Sequence, residues 1–255
     1  SRGKYIAIMA DDDISLPERL EKQTQFMDQH PDIAVVGTQY IMTDEKGNPT
    51  NHFTYPLTYG LIRWGLIFSC QLTAVMMRKK YFGKGKLKFK PLSSAVDFDL
   101  WVRVAAKFKV RNINNVLYLY RKHENNVSIL DKEFQKNHSY RLIRQQVSEM
   151  TGVDLTPDQT QGLLESTNIT NIKDANVLSK TLINLEKATK LWEIDQFDRK
   201  LIKKKAAAKL RSIWHATNKD FRVLPYVVYS FILYPQILFD RLSRLHKKLE
   251  DKPNA

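Results

Sequence analysis

The chain has 255 residues, of which 43% are hydrophobic and 27% charged, the composition of an ordinary globular protein with one large or two smaller domains. Wholesale disorder, collagen and coiled-coil arrays are excluded. Cys70 is the single cysteine, so a disulfide framework and a Cys-rich zinc module are excluded too. The formal charge is +14, which taken alone points to nucleic acid or an anionic membrane surface.

In chain order, residues 4–9 (KYIAIM) read as a short apolar strand, of the kind buried on both faces of a parallel sheet. Asp11, Asp12 and Asp13 follow. Ser15-Leu16-Pro17-Glu18 then reads as a capping box opening a helix. Leu16, Leu20, Thr24 and Met27 recur on its inward face, and His30-Pro31 ends it. Residues 33–36 form a second β-branched run, closed by Gly37. Strand, helix and strand make a βαβ unit, and hence an α/β domain. Lys46-Gly47-Asn48-Pro49 is a turn, residues 61–68 are helical and 72–77 strand-like. Residues 97–108 read as a helix with Asp97 at its N-cap and Leu100, Trp101, Val104 and Ala105 inward. Residues 110–120 are β-rich, and from about Phe134 onward the pattern is helical. Its clearest stripe is Leu178, Leu182, Leu185, Ala188 and Trp192. Residues 151–158 read as a loop with its own cap signal, and 203–211 as a basic, Ala-rich helix. The expected division is an α/β part over 1–132 and a helical part over 133–255.

The charge is unevenly placed. Residues 78–90 hold seven basic side chains and no acidic one, and residues 199–255 hold fourteen basic and four acidic. The remainder nets −3. One basic loop and one basic tail replace a uniform nucleic-acid coat, and no nucleic-acid motif is present, so nucleic acid is not an expected partner. Residues 223–239 form a 17-residue uncharged run containing Pro225 and Pro235. A spanning helix needs about 20 apolar residues. Arg222 precedes the run, and Arg241, Arg244, Lys247 and Lys248 follow it. The segment, about 199–250, is expected to lie in the interface of an anionic membrane, the rival reading being a buried helix hairpin broken by proline. No secretory signal is read at the N-terminus. The expected location is the cytoplasm, peripheral to the inner face of the cell membrane.

Ligands of open α/β sheets bind beyond the carboxyl ends of the strands, where Asp11, Asp12 and Asp13 stand. Adjacent carboxylates repel unless a cation neutralises them, and hard oxygen donors suit Mg²⁺ or Mn²⁺ shared with substrate phosphates. The rival is an acidic turn leading into a helix cap.

Residues 3–23 (GKYIAIMADDDISLPERLEKQ), with 31–37 (PDIAVVG), resemble the metal-site segment of family 2 glycosyltransferases with the GT-A fold. Residues 97–103 (DFDLWVR) are similar to the family's catalytic-base motif. Residues 117–123 (LYLYRKH), with Ser128 beyond, resemble its closing Tyr-Arg-x-His motif. The resemblance covers roughly residues 1–130. It implies a partial GT-A, Rossmann-like mixed sheet with helices, followed by an α-helical region. It also implies transfer of a sugar, with inversion, from a nucleotide-diphosphate donor to the hydroxyl of a saccharide or lipid-linked acceptor, as in surface polysaccharide or glycolipid synthesis. On the same ground Asp12 and Asp13, with Asp11 next, are the metal ligands for Mn²⁺ or Mg²⁺. Asp97 falls on the general base, with an N-cap as its rival role. His123 falls on a metal or diphosphate contact. Arg121 would bind diphosphate or pair with a carboxylate. Trp101 would be core or an acceptor-site wall, and Asp99 a surface or first-turn acid. The basic loop beginning at Arg78 would hold an anionic acceptor or lipid diphosphate, or be merely solvated.

Three departures stand out. Ala10 and Val96 occupy positions where the family usually carries acids, and the strand–helix units that open such enzymes do not precede Ser1. The chain therefore reads as an N-terminally truncated piece, expected to expose a sheet edge and to bind donor weakly or not at all by itself. The alternative is an inactive remnant serving as a membrane-associated binding or scaffold protein.

Overall fold

The computed structural model describes residues 2–83, 86–91, 95–124, 126 and 132–236. The chain divides into two compact units, Ser1–Ile143 and Arg144–Ala255.

The first unit is an α/β structure around a six-stranded mixed sheet. Its elements are β1 (Tyr5–Ala7), β2 (Ile14–Ser15), α1 (Arg19–Gln29), β3 (Ile33–Thr43), β4 (Pro49–Phe53), α2 (Tyr59–Gly65), β5 (Met76–Arg78), α3 (Val96–Lys107) and β6 (Lys109–Arg121). The strand order is β1-β5-β3-β6-β2, with β4 pairing β3. β3 and β6 run parallel and the other pairings are antiparallel. The β-branched start of β3 explains its place: residues 33–39 are buried on both faces, between β5 and β6. Met27, Ile33, Val36, Met76, Ile113 and Leu117 pack there into one apolar cluster, with Phe26 and Tyr5 against it.

The βαβ reading needs correction in one respect. β1 and β3 point the same way but do not pair, because β5 lies between them antiparallel to both. The unit is a split βαβ. β1 is only three residues long, partly exposed, and forms an edge of the sheet among the described residues, not a strand buried on both faces.

The first helix also starts later than its capping box suggests. Ile14 and Ser15 pair with Leu119 and Tyr118 of β6, and the Leu16 amide donates to the Leu117 carbonyl. The cap position is Glu18, with no side-chain cap bond. The inward face is Arg19, Gln23 and Met27, whereas Leu20 is 53% exposed. Polar side chains face inward because backbone carbonyls just after β1, just before β5 and within β3 need donors. Arg19 supplies Ile8 and Val75, and Gln23 supplies Val36 and Ala74.

Gly37 marks a close approach within β3. A Cβ there would sit 2.2 Å from Asn112 Oδ1 and 3.1 Å from the Thr73 carbonyl. The 46–49 turn is formed, with Gly47 at φ 86° and Asp44 Oδ1 accepting from the amides of Lys46 and Asn48.

The second unit contains α5 (Pro157–Leu164), α6 (Ile172–Ala188), α7 (Gln196–Ala216) and α8 (Leu224–Leu233), counting the preceding Lys132–Thr151 helix as α4. The cap signal near Asp158 is a capping box: Thr156 Oγ1 accepts from the Gln159 amide, and Gln159 Oε1 from the Thr156 amide. Leu178, Leu182, Leu185 and Trp192 are buried as their spacing predicts, alongside Ile202, Ala206, Leu210 and Ile213 of α7. No helix among the described residues is long and apolar enough to cross a membrane. Arg241, Arg244, Lys247 and Lys248 lie outside the described residues, as does Ser128.

Candidate active site

The acidic turn joins β1 to β2, at the carboxyl end of β1. Its three aspartates take three different situations. Asp11 is exposed. Asp12 Oδ2 lies 3.1 Å from His123 Nε2 and accepts from Asn126 Nδ2 at 3.0 Å. Asp13 Oδ1 accepts from the Arg121 amide at 2.9 Å. Burial pushes the Asp13 carboxyl above the ordinary carboxylate range, against the Arg121 amide and a hydrogen bond from Tyr118, which favour its ionised form. The structure thus brings Asp12 and His123 together and turns Asp13 into the sheet.

Asn126 has no place among the expected site residues, and it organises this corner. It is buried. Its Oδ1 accepts from the His123 amide at 2.6 Å, and its Nδ2 reaches the Arg121 carbonyl and His123 Nε2 as well as Asp12. The sequence signal for it is an Asx side chain three residues after His123, which can close a turn on its own backbone.

Arg19 is a second such residue. It is 1% exposed. Its Nη2 donates to the Ile8 and Val75 carbonyls at 2.6 and 3.3 Å, its Nε to Gln23 Oε1, and its guanidinium lies 5.1 Å from the Tyr118 ring centre. Tyr118 OH in turn accepts from the Ala10 amide at 3.3 Å. Arg19 and Tyr118 therefore hold the acidic turn from behind, one at each end.

Asp97 stands in the first turn of α3, not at its N-cap. That position belongs to Ala95, in the left-handed region at φ 51°. Asp97 Oδ1 accepts from the Phe98 amide at 2.7 Å, and Oδ2 lies 4.0 Å from Cys70 Sγ. The residue is exposed at its surface, yet its surroundings remove enough hydration to push its carboxyl above the ordinary range. Among the described residues no hydrogen bond joins Asp97 to the acidic turn. Between them stands a row of tyrosines. Tyr55, close enough to Asp97 and Cys70 to feel their charge, lies 5.7 Å from Tyr40, and Tyr40 lies 6.2 Å from Tyr120, the neighbour of Arg121.

The other expected contacts divide. Arg121 remains in the corner, with its Nε buried and without a hydrogen-bond partner among the described residues. Trp101 is core, 2% exposed on α3. Arg78 is not brought to the site. It is buried, and it donates to the carbonyls of Ile33, Met27 and His30, closing the C-terminal end of α1. Asp99 is a first-turn acid of α3, buried rather than at the surface, and paired with Lys90 and Arg103. That pairing ties down part of the basic loop.

Residues 1–85 match the model of glycosyl transferase family 2. This part of the first unit is similar to the family 2 glycosyltransferases. An uncharacterized glycosyltransferase of Methanocaldococcus jannaschii is 35% identical over 151 residues, 56% of this chain and 51% of that protein. The O-antigen biosynthesis glycosyltransferase WbnJ of Escherichia coli is 30% identical over 148 residues, 56% of this chain and 58% of that protein. The amylovoran biosynthesis glycosyltransferase AmsE of Erwinia amylovora is 48% identical over 42 residues, 16% of each chain. The chain spans about half the length of the first two. The family match takes in Asp11, Asp12, Asp13 and Arg19 and stops before Asp97 and His123.

Whether the corner suits a divalent cation follows from its donors. Ligands at about 2.1 Å in octahedral geometry leave cis neighbours about 3.0 Å apart. Asp12 Oδ2 and His123 Nε2 stand 3.1 Å apart. Among the described residues no three His, Cys, Asp or Glu side chains converge on one point. Two protein donors with phosphate oxygens completing the shell is an ordinary arrangement for such ions.

Proposed function

We propose that the chain carries the metal- and base-bearing part of an inverting glycosyltransferase. It would move a sugar from a nucleoside-diphosphate donor to the hydroxyl of a saccharide or lipid-linked acceptor, in surface polysaccharide or glycolipid synthesis at the inner face of the cell membrane. The observation that carries this reading is the convergence of Asp12 and His123 at metal-ligand spacing beside the unpartnered Arg121 Nε. The polysaccharide assignment draws on the O-antigen and amylovoran biosynthesis of the Escherichia coli and Erwinia relatives.

Asp12 and His123 would hold the cation, Asn126 fixing Asp12 through Nδ2 and His123 through its backbone amide, while the Asn126 contact to His123 Nε2 would yield to the ion. The nitrogen donor favours Mn²⁺ over Mg²⁺, which prefers an all-oxygen shell. When bound, the ion supplies Lewis-acid stabilisation of a departing diphosphate. Arg121 would direct its free donor to the same oxygens. Asp97 would accept the acceptor hydroxyl's proton as that oxygen bonds to the anomeric carbon and the bond to the diphosphate breaks. A single displacement of this kind inverts the anomeric centre, and it needs one carboxylate base and no protein nucleophile.

The test is nucleoside-diphosphate release from a panel of nucleotide sugars by the intact protein, with Mn²⁺ and a lipid-linked saccharide acceptor. Asp97→Asn should lower kcat/KM by about 10³-fold while leaving donor binding in place. Independently of turnover, Asp12→Asn should abolish the electron paramagnetic resonance signal of bound Mn²⁺ in the presence of pyrophosphate. Transfer within tenfold of wild type in Asp97→Asn would remove the base assignment. Unchanged Mn²⁺ binding in Asp12→Asn would remove the metal site.

A further inference from the structure

Helix α8 is apolar on two faces, and only one of them has a partner. Val223, Val227, Ser230 and Tyr234 recur at helical spacing and are buried within the second unit. On the opposite side Phe221, Leu224, Val228 and Ile232 recur at the same spacing and are 77%, 43%, 53% and 68% exposed. No charged residue interrupts positions 223–239. A helix with one solvated face normally carries charged or polar side chains there, and a contiguous exposed apolar stripe marks an interaction surface.

The rim of the stripe is cationic. Lys187 of α6 lies 5.9 Å from the ring centre of Tyr229, on the flank of the stripe, whereas Lys204 of α7, 5.3 Å from the Tyr234 ring centre, lies against the buried face. Arg222 stands exposed at its N-terminal end. The nearby acids are already engaged or withdrawn: Asp220 is paired with Arg222, and Glu186 is buried. Pro225 in the first turn gives the helix a firm start without a polar cap.

We propose that this outward face, Phe221, Leu224, Val228 and Ile232 within its basic rim, is the surface by which the protein docks on an anionic lipid bilayer. The inference rests on the peripheral location proposed above and deepens it by naming the face. Charge complementarity selects the occupant. A second copy docked face to face would bring two Lys187 side chains to one rim with no free acid to meet them, since Asp220 is spent on Arg222 and Glu186 is buried. Nucleic acid would satisfy the rim but has no use for the apolar stripe. Lipid satisfies both: the stripe enters the acyl boundary and the rim meets the headgroups. A ten-residue helix is about 15 Å long, so it lies in the interface plane and does not span.

The test is sedimentation of the full chain with vesicles of phosphatidylcholine alone, or with about one third phosphatidylglycerol. Wild type should bind the anionic vesicles and be released by salt. Val228→Asp/Ile232→Asp should weaken partitioning by about tenfold or more, because it puts charge where apolar surface enters the bilayer. Phe221→Ser, outside the helix, should weaken it in the same direction. Val228→Leu/Ile232→Leu should retain binding, which separates docking from folding. If wild type binds anionic vesicles and all the variants bind equally, the docking face is wrong and the peripheral location stands. If wild type binds neither vesicle, both fall. If light scattering shows a dimer that Val228→Asp/Ile232→Asp dissolves, the face belongs to a second copy and the proposal is overturned.

Discussion

Replacing Arg19 by Met removes a guanidinium that is 1% exposed and faces no carboxylate at hydrogen-bond distance. Its partners are two backbone carbonyls and an amide oxygen, with Met9 Sδ a weak fourth at 3.5 Å. Val75 O keeps another donor, the Ile8 amide at 2.9 Å. Ile8 O and Gln23 Oε1 lose the donor described for each. Two buried acceptors stranded at about 1–3 kcal/mol each put the gross cost near 4 kcal/mol. Burial of the charge already opposes protonation of Arg19, lowering its affinity for the proton. Relief of that strain returns part of the loss, so the net is about 3 kcal/mol. For a unit of this size that is a fall in Tm of about 10 °C. Calorimetry of the full chain measures it. Native-state hydrogen exchange at the Ile8 amide reports whether the β1–β5 edge opens first. Arg19→Lys should recover less than half, since one ammonium cannot span both carbonyls and Gln23 in a planar fork. Stability of Arg19→Met within 1 kcal/mol of wild type, with the Ile8 amide equally protected, would show that the carbonyls find other donors and that Arg19 does not hold the turn.

Three further outcomes follow from named contacts. Gly37→Ala should cost about 3 kcal/mol or leave the protein insoluble, because the new methyl meets Asn112 Oδ1 at 2.2 Å and the Thr73 backbone at 3.1 Å; urea unfolding reads it, and Gly37→Ala/Asn112→Ala should recover part of the loss. Lys209, half-buried and donating to the Leu163 carbonyl at 2.6 Å, has its ammonium pushed down to about 8 from 10.5 by desolvation. The folded state then binds fewer protons than the unfolded state between about pH 8 and 10.5, so stability rises with pH across that window, by at most about 3 kcal/mol. Lys209→Met should flatten that rise in urea titrations taken at several pH values. Asp97 shifts the opposite way, upward. Its ionised form is disfavoured in the folded state, so its contribution to stability falls as pH rises through the raised value. The acidic limb of kcat/KM should lie above the ordinary carboxylate range, and Asp97→Asn should be more stable than wild type at neutral pH while losing transfer.

Much of the fold is legible because it rests on periodicities that hydrophobic side chains report directly. Ile33, Val35 and Val36 announce a buried strand, and Leu178, Leu182 and Leu185 a buried helical stripe. The first helix fails the same rule for a physical reason. Its inward face must satisfy carbonyls within and beside the strands, so Arg19 and Gln23 go in and Leu20 goes out. A pattern that scores apolar residues as inward reads that face one position off. The order β1-β5-β3 is likewise invisible to local patterning, since a split βαβ has the same sequence signature as a paired one until the antiparallel strand arriving some forty residues later is placed.

The site follows the same logic. Residue type and motif bring out Asp12, His123 and Asp97, although a helix-start carboxylate such as Asp97 has a capping or dipole role as its rival. They do not separate Asp12 from Asp13, which stand one position apart. The backbone turns the two side chains apart: Asp13 toward Tyr118 and the Arg121 amide, and Asp12 toward His123. Arg78 misleads for the converse reason. It sits in the most basic stretch of the chain, yet burial beside the carbonyls of Met27 and His30 spends its donors on backbone. Asn126 carries no charge to draw the eye. It still satisfies Asp12, His123 and Arg121 at once, so its conversion to Ala should loosen the Asp12–His123 pair without removing either ligand, lowering Mn²⁺ affinity by about 10–100-fold. Mn²⁺ titration followed by electron paramagnetic resonance measures that change. Unaltered affinity in Asn126→Ala would mean that the pair is held by its own backbone, and that the corner needs no third residue to keep its donors 3.1 Å apart.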